Sequence, residues 1–212
     1  MEPTPLAPEA PAVPVAAPDD PFRLKPDVMQ RLDFAGEFGR SNPVELELGA
    51  GDGSFLIQYA TLRPETNFLG IERLLGRLRK IGRKARRGDL QNVRVLRLEA
   101  SYVLRFMIPT GSIGGIHVYF PDPWPKRRHW KRRLINTAFT EHARTALAIG
   151  GTVFLRTDDV SYFTQMTEVF GANPAFARVE EPAGLLAVKT DFEQEFNARG
   201  ISTNHAAYRR VS

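Results

Sequence analysis

The 212-residue chain contains no cysteine. Disulfide frameworks, thiolate metal sites and cysteine nucleophiles are therefore excluded at the outset. It has no apolar run approaching the roughly 20 residues needed to cross a bilayer. Its first residues are acidic and Pro-rich, without the basic and then apolar segments of a secretion signal. A cytoplasmic protein is expected. Histidine is scarce: His117, His129, His142 and His205 stand in no spacing with Asp or Glu that suggests a metal site, so no metal is expected. Ser101, Ser112 and Ser161 lack the strand-to-helix elbow of a hydrolase nucleophile.

Acidic residues are nearly missing from one long stretch. Residues 73–133 carry 17 Lys/Arg against three acids, a local charge of +14, while the rest of the chain is −9. Such asymmetry points to a polyanion-binding face or to a solvated basic helix stripe. Residues 1–21 are rich in Pro and Ala and precede the first aromatic, Phe22. They lack apolar surface to offset ordering entropy, so a disordered tail is expected, followed by a single domain over 22–212.

Short apolar or β-branched runs recur at 44–48, 67–71, 93–98, 116–120 and 151–155. Helical-length segments separate or follow them at 54–62, 74–87, 131–148 and 160–170, with a further helix at 191–199 and an extended end at 204–211. This alternation predicts an α/β fold with a mainly parallel sheet. The 74–87 segment puts Leu74, Leu78, Ile81 and Ala85 on one face and Arg73, Arg77, Lys80, Lys84 and Arg87 on another. Helix starts are expected at Asp52/Ser54 and at Asp158/Asp159.

The first of these strands runs into Glu47-Leu48-Gly49-Ala50-Gly51-Asp52-Gly53-Ser54 and on into a helix, the setting of a nucleotide-binding glycine loop. Glu72 follows Gly51 by 21 residues at the end of the next strand, where a carboxylate can hold ribose hydroxyls. Glu47 would repel the pyrophosphate of a dinucleotide but suits the sulfonium and ammonium of S-adenosylmethionine. Glu99 ends the third strand and could meet an adenine amino group. The fourth strand empties into Pro121-Asp122-Pro123-Trp124-Pro125-Lys126 and then a basic run to Arg133. Asp122 should lie beside a ligand held at the strand ends, Trp124 could stack on a base, and the cations could track phosphates.

With ELGAGDG at 47–53, GIE at 70–72, PDPWPKRRHWKRR at 121–133, RTDD at 156–159 and TDFE at 190–193, the chain resembles the bacterial tRNA (guanine-N7)-methyltransferase family. The resemblance covers about residues 41–200. It implies a Rossmann-like class I methyltransferase with a mostly parallel seven-stranded sheet and helices on both faces. The implied reaction moves the methyl group of S-adenosylmethionine to N7 of a guanine in the tRNA variable loop. Glu47, Gly49, Gly51, Glu72, Glu99 and Asp122 are then expected at the cofactor, Asp122 being also the catalytic acid. Lys126, Asp158, Thr190, Asp191, Phe192 and Glu193 are expected at the substrate guanosine or its neighbours. Arg128, His129, Trp130, Lys131, Arg132 and Arg133 are expected at the RNA. Position 99 is more often Asp or Asn in the family, so the longer Glu would shift the adenine end. Two other readings stay open: a class I methyltransferase acting on another base position, and an RNA-binding module with a vestigial pocket. A dehydrogenase is disfavoured by Glu47.

Overall fold

The computed structural model describes residues 22–212, so the expected tail at 1–21 lies outside the described residues. The strands are β1 (Arg23–Leu24), β2 (Val44–Leu48), β3 (Asn67–Ile71), β4 (Val93–Leu96), β5 (Ile113–Tyr119), β6 (Leu147–Thr157), β7 (Phe176–Val179) and β8 (Asn204–Arg210). The helices are α1 (Phe34–Phe38), α2 (Ser54–Leu62), α3 (Leu75–Arg87), α4 (Ala100–Tyr102), α5 (Thr137–Ala146), α6 (Val160–Gly171), α7 (Ala183–Leu186) and α8 (Asp191–Ala198). A π-helical turn, Val103–Met107, continues α4, and a 3-10 segment, Arg127–Arg132, precedes α5.

One eight-stranded sheet has the order β1-β4-β3-β2-β5-β6-β8-β7. Pairing is parallel from β1 through β6, and β8 runs antiparallel between β6 and β7. The strand beyond the expected seven is the two-residue β1, which borders β4. The chain leaves β2 toward β3 and β4, then returns to the other side of β2 as β5. A topological switch point therefore lies between β2 and β5, where such sheets open a crevice at the carboxyl ends of their strands.

Alternation along β2 sorts its side chains between two cores. Val44, Leu46 and Leu48 join the core covered by α5 and α6, which includes Phe139, Tyr162, Met166 and Phe170. Glu45 and Glu47 point toward the opposite core, built from Phe55, Leu56 and Tyr59 of α2 and Leu78, Ile81 and Ala85 of α3. On that side His117 bonds Glu45 Oε2 at 2.8 Å and the Tyr119 hydroxyl at 2.8 Å, and stacks on Phe154.

Local boundaries differ from the sequence expectations at several points: β4 stops at Leu96, so that Glu99 caps α4 and does not end a strand, β5 starts at Ile113, and β6 runs from Leu147 to Thr157. The helix expected over 131–148 is broken, because Asn136 caps a new helix by accepting from the Phe139 amide at 3.0 Å, and 147–148 belong to β6. The cap of α2 is Gly53 at φ +81°, where a Cβ would stand 2.9 Å from Ile81. Asp52 only braces that turn, accepting from Ser54 N at 3.2 Å. Of the pair Asp158/Asp159, it is Asp159 that caps α6, accepting from Tyr162 N at 2.7 Å.

Candidate active site

Two chambers open at the switch point and share a wall. The larger, about 480 Å³, is lined by Gly49 at the start of the glycine loop, Glu72, Leu74 and Glu99, together with Asp122, Trp124 and Arg132. The smaller, about 250 Å³, is bounded by Glu47, Asp52, Asp158, Thr190, Phe192 and Phe196. Gly49, Arg77, Tyr119, Phe120 and Asp122 line both.

The glycine loop has the form its sequence suggests. Gly49, Gly51 and Gly53 all have positive φ, and nothing stands above Gly49 within 4 Å of where a Cβ would be. Only glycine adopts these angles at little steric cost while leaving the backbone open to a ligand. Gly49 and Ala50 donate to the Ile71 carbonyl at 2.9 Å each, which pins the loop over β3. Glu72 braces it from below, accepting from Gly51 N at 3.0 Å and Leu74 N at 2.7 Å. A carboxylate has about four lone-pair sites, so both Glu72 oxygens keep acceptor capacity toward the larger chamber.

Glu47 is buried beneath the loop, and its Oε2 has no hydrogen-bond partner among the described residues. Burial pushes its carboxyl well above the usual range, and the nearby Asp52 and Glu72 push in the same direction. Such an atom calls for a cationic or donor group from outside the protein. Asp52 goes the other way: burial raises it, but the hydrogen bond and charge of Lys84 at 2.7 Å outweigh that and hold it low. Glu99 lines the larger chamber while accepting from Ser101 N and Tyr102 N, so it also caps α4.

The loop after β5 brings Asp122 to the partition. Phe120 and Trp124 take left-handed backbone angles, φ +49° and +47°, on either side of it. Arg133 fixes the loop from inside: its guanidinium donates to Pro123 O at 2.8 Å, Ser161 Oγ at 2.8 Å and Gln165 Oε1 at 2.9 Å. It also lies over the rings of Trp130 and Tyr162. Arg133 is only 1% exposed, so it is an internal strut and not part of the outer basic surface. Arg128, Lys131 and Arg132 are exposed, with Arg132 over the Trp124 ring at 5.0 Å. His129 packs edge-on to Trp124, and Trp130 is held between Arg127 and Arg133. Lys126 is exposed and lines neither chamber.

The far wall of the smaller chamber comes from α8. Thr190 caps this helix through Glu193 N at 3.0 Å, and Asp191 N donates to Ser54 Oγ at 3.1 Å, which ties α8 to the start of α2. Phe192 and Phe196 stand 6.4 and 5.7 Å from Phe120, forming an aromatic wall. Asp158 opens into the chamber from the end of β6. Glu193 does not: it is 2% exposed and bonds Arg156 at 3.0 Å. The same guanidinium reaches Glu181 at 3.3 Å and the carbonyls of Leu185 and Val188, and lies over Tyr119. His205 approaches Glu181 at 3.3 Å and Glu193 at 3.7 Å. This buried hub carries α7 and α8 on β6. Arg77, Tyr119, Phe120, Arg156 and Phe196 were not singled out in the sequence as site residues. Phe120 immediately precedes the PDPWPK motif and Arg156 opens the RTDD motif, whereas Arg77 and Phe196 read as ordinary helix positions.

Among the described residues no cluster of three or more His, Asp or Glu could hold a metal, and no helix is long and apolar enough to cross a membrane. Comparison with known proteins bears on the same cleft. Residues 41–209 match a family model described as "Putative methyltransferase". The tRNA (guanine-N(7)-)-methyltransferase of Bordetella pertussis is 37% identical over 179 residues, covering 84% of this chain and 69% of its own length. The enzyme of the same name from Streptomyces coelicolor is 40% identical over 187 residues, covering 85% and 68%. Among solved structures, the 16S rRNA methyltransferase KamB superposes with a TM-score of 0.60 at 15% identity, covering 82% of this chain and 90% of that one. TrmN from Thermus thermophilus gives 0.57 at 19% identity, covering 81% and 45%. These structural likenesses establish the class I methyltransferase fold.

Proposed function

The chain belongs to the tRNA (guanine-N7)-methyltransferase family, and on that premise we propose that S-adenosylmethionine lies along the larger chamber with its cationic end reaching across Gly49 to Glu47 in the smaller one, and that the rest of the smaller chamber, toward Asp158, Phe192 and Phe196, takes the acceptor guanine of the tRNA variable loop. The observation that carries this assignment is the shared wall: Asp122, Tyr119 and Phe120 face both chambers, so groups held in each meet at one point. The residues fit the cofactor. An unpartnered buried oxygen on Glu47 and open glycines above it suit a cationic ligand without phosphates, and Glu72 and Glu99 suit hydroxyl and amino donors. When bound, S-adenosylmethionine supplies a methyl group made electrophilic by its sulfonium.

The protein's own contribution is alignment and charge. Guanine N7 presents an in-plane lone pair, so no proton has to be removed and no strong base is required. Phe120, Phe192 and Phe196 supply faces on which a purine can stack, fixing its plane. Asp158 offers paired acceptors for the N1–H and N2 amino donors, which adenine does not present together. Asp122 stabilises the positive charge that grows on the purine ring as N7 attacks. Thr190, Asp191 and Glu193 act one step back: Thr190 and Asp191 seat the first turn of α8, and Glu193 locks that helix to Arg156. Lys126 and the exposed cations Arg128, Lys131 and Arg132 meet RNA phosphates beside the partition. Holding reactants in line in this way accounts for a large part of the barrier reduction.

The decisive experiment incubates unmodified tRNA with the protein and methyl-labelled S-adenosylmethionine, followed by digestion and nucleoside identification. Labelled 7-methylguanosine mapped to the variable loop is expected. A different labelled nucleoside would keep the donor and overturn the acceptor assignment.

A further inference from the structure

Helix α3 carries a charge pattern that neither chamber explains. Seven of its 13 residues are basic, and none is acidic. Leu78, Ile81 and Ala85 anchor one face in the core, while Arg77, Arg79, Lys80, Arg83 and Arg87 are exposed, with no ion pair or hydrogen bond from their side chains among the described residues. Arg79 and Arg83, Lys80 and Lys84, and Arg83 and Arg87 stand four apart, and like charges at that spacing repel. Cations at the end of a helix complement its dipole, which accounts for Lys84, Arg86 and Arg87. The dipole gives no such support to Arg77, Arg79 and Lys80, which lie nearer the positive N-terminal end.

The place of the helix gives the pattern a use. Arg77 lines both chambers, and Lys84 bonds Asp52 in the wall of the smaller one. Arg73, just before the helix, lines the larger chamber together with Arg132 from the loop across it. Arg73 and Arg77 at the start of α3 and Arg132 at the end of the Arg127–Arg132 segment thus border the same opening. Thirteen residues of α-helix extend about 20 Å, enough to run beside several nucleotides.

We propose that the exposed face of α3 is a second phosphate-binding arm for tRNA, so that the RNA backbone straddles the site between α3 and the Arg127–Arg132 segment. This rests on the tRNA methyltransferase reading above. Each neutralised phosphate releases counterions, so such an arm adds to affinity and to its salt dependence while leaving the chemistry alone.

The test is the triple variant Lys80→Gln/Arg83→Gln/Arg87→Gln, compared with a control of equal charge change on cations of α5, β7 and β8, which line neither chamber, Arg144→Gln/Arg178→Gln/Arg209→Gln. The measurements are tRNA Kd across a salt series, kcat at saturating tRNA, and S-adenosylmethionine affinity. For the α3 variant we expect a rise in tRNA Kd of roughly tenfold and a salt slope shallower by about two. Its kcat and cofactor affinity should match the wild type, and the control should bind tRNA nearly normally. Unchanged tRNA Kd and slope would overturn the proposal, as would equal weakening in the control or a loss of cofactor affinity in the α3 variant. A wild-type protein that does not methylate tRNA would overturn the premise itself, a result separate from any of these.

Discussion

Arg133 donates to the carbonyl of Pro123 at 2.8 Å, so a buried cation ten residues downstream holds the neighbour of Asp122 in place. Lysine cannot reproduce this contact set, because the guanidinium also serves Ser161 and Gln165 and stacks on two rings. Arg133→Lys is expected to lower kcat by about 10- to 100-fold through misplacement of Asp122, with the salt dependence of tRNA binding unchanged. Arg128→Gln is expected to do the reverse, raising the tRNA KM and flattening the salt slope with kcat nearly intact. Steady-state kinetics over a salt series separates the two.

On the function proposed above, Asp122 is expected to act through its charge and not as a base. Asp122→Asn should cut kcat on the order of 100-fold or more, as loss of a fixed transition-state charge partner does. The pH–rate profile should keep the same limbs at the lower rate. Disappearance of a basic limb in the variant would show that proton removal had been part of the step.

With Glu47 at the cofactor as proposed, binding is expected to depend on pH. Its folded carboxyl titrates well above the unfolded value of 4.5 because it is buried near Asp52 and Glu72, with Arg156 partly opposing them. The free protein therefore holds an extra proton between those two values and loses stability as pH rises through that window. A cationic ligand favours the carboxylate, so S-adenosylmethionine affinity should rise with pH over the same range. Calorimetric titration of Glu47→Gln should give a flatter profile and weaker binding at the high end.

The Arg156 hub should matter more for stability than any exposed pair. Removing the guanidinium leaves Glu181 and Glu193 buried without their cation. Arg156→Met is expected to destabilise by roughly 3–5 kcal/mol, a fall in Tm of about 10 °C for a domain of this size. Glu193→Gln, whose amide oxygen still accepts from Arg156, should lose less stability but reduce activity by loosening α8. Full activity in that variant would remove Glu193 from the positioning of the acceptor wall.

Those two residues also mark where the sequence is informative and where it is not. The bounds of β2, β3 and α2 match the apolar runs and the glycine loop, because each is set by local patterning: alternation in 44–48 and a loop that only glycines can form at 49–53. Asp122, Glu47 and Glu72 are readable because their places follow from strand ends. β7 is not readable, since Phe176–Val179 is short, half exposed and shaped by β8, a partner 25 or more residues away. Glu193 and Arg133 sit in motifs that suggest contact with RNA, yet each is turned inward by partners that sequence proximity does not reveal: Arg156 for one, Ser161 and Gln165 for the other. Phe196 enters the site only through the packing of α8 against Phe120.

The position of β8 has a consequence for how the molecule assembles. The strand nearest the C-terminus lies inside the sheet, between β6 and β7, and it carries the His205 that approaches Glu181 and Glu193. Among the described residues β7 pairs with no other strand. On the site assignment proposed above, the segments that line the donor side, from Gly49 to Arg132, are all synthesised before those that line the acceptor side, from Asp158 to Phe196. The acceptor wall is therefore expected to be the later of the two to settle, since the hub that carries α8 is completed by β8.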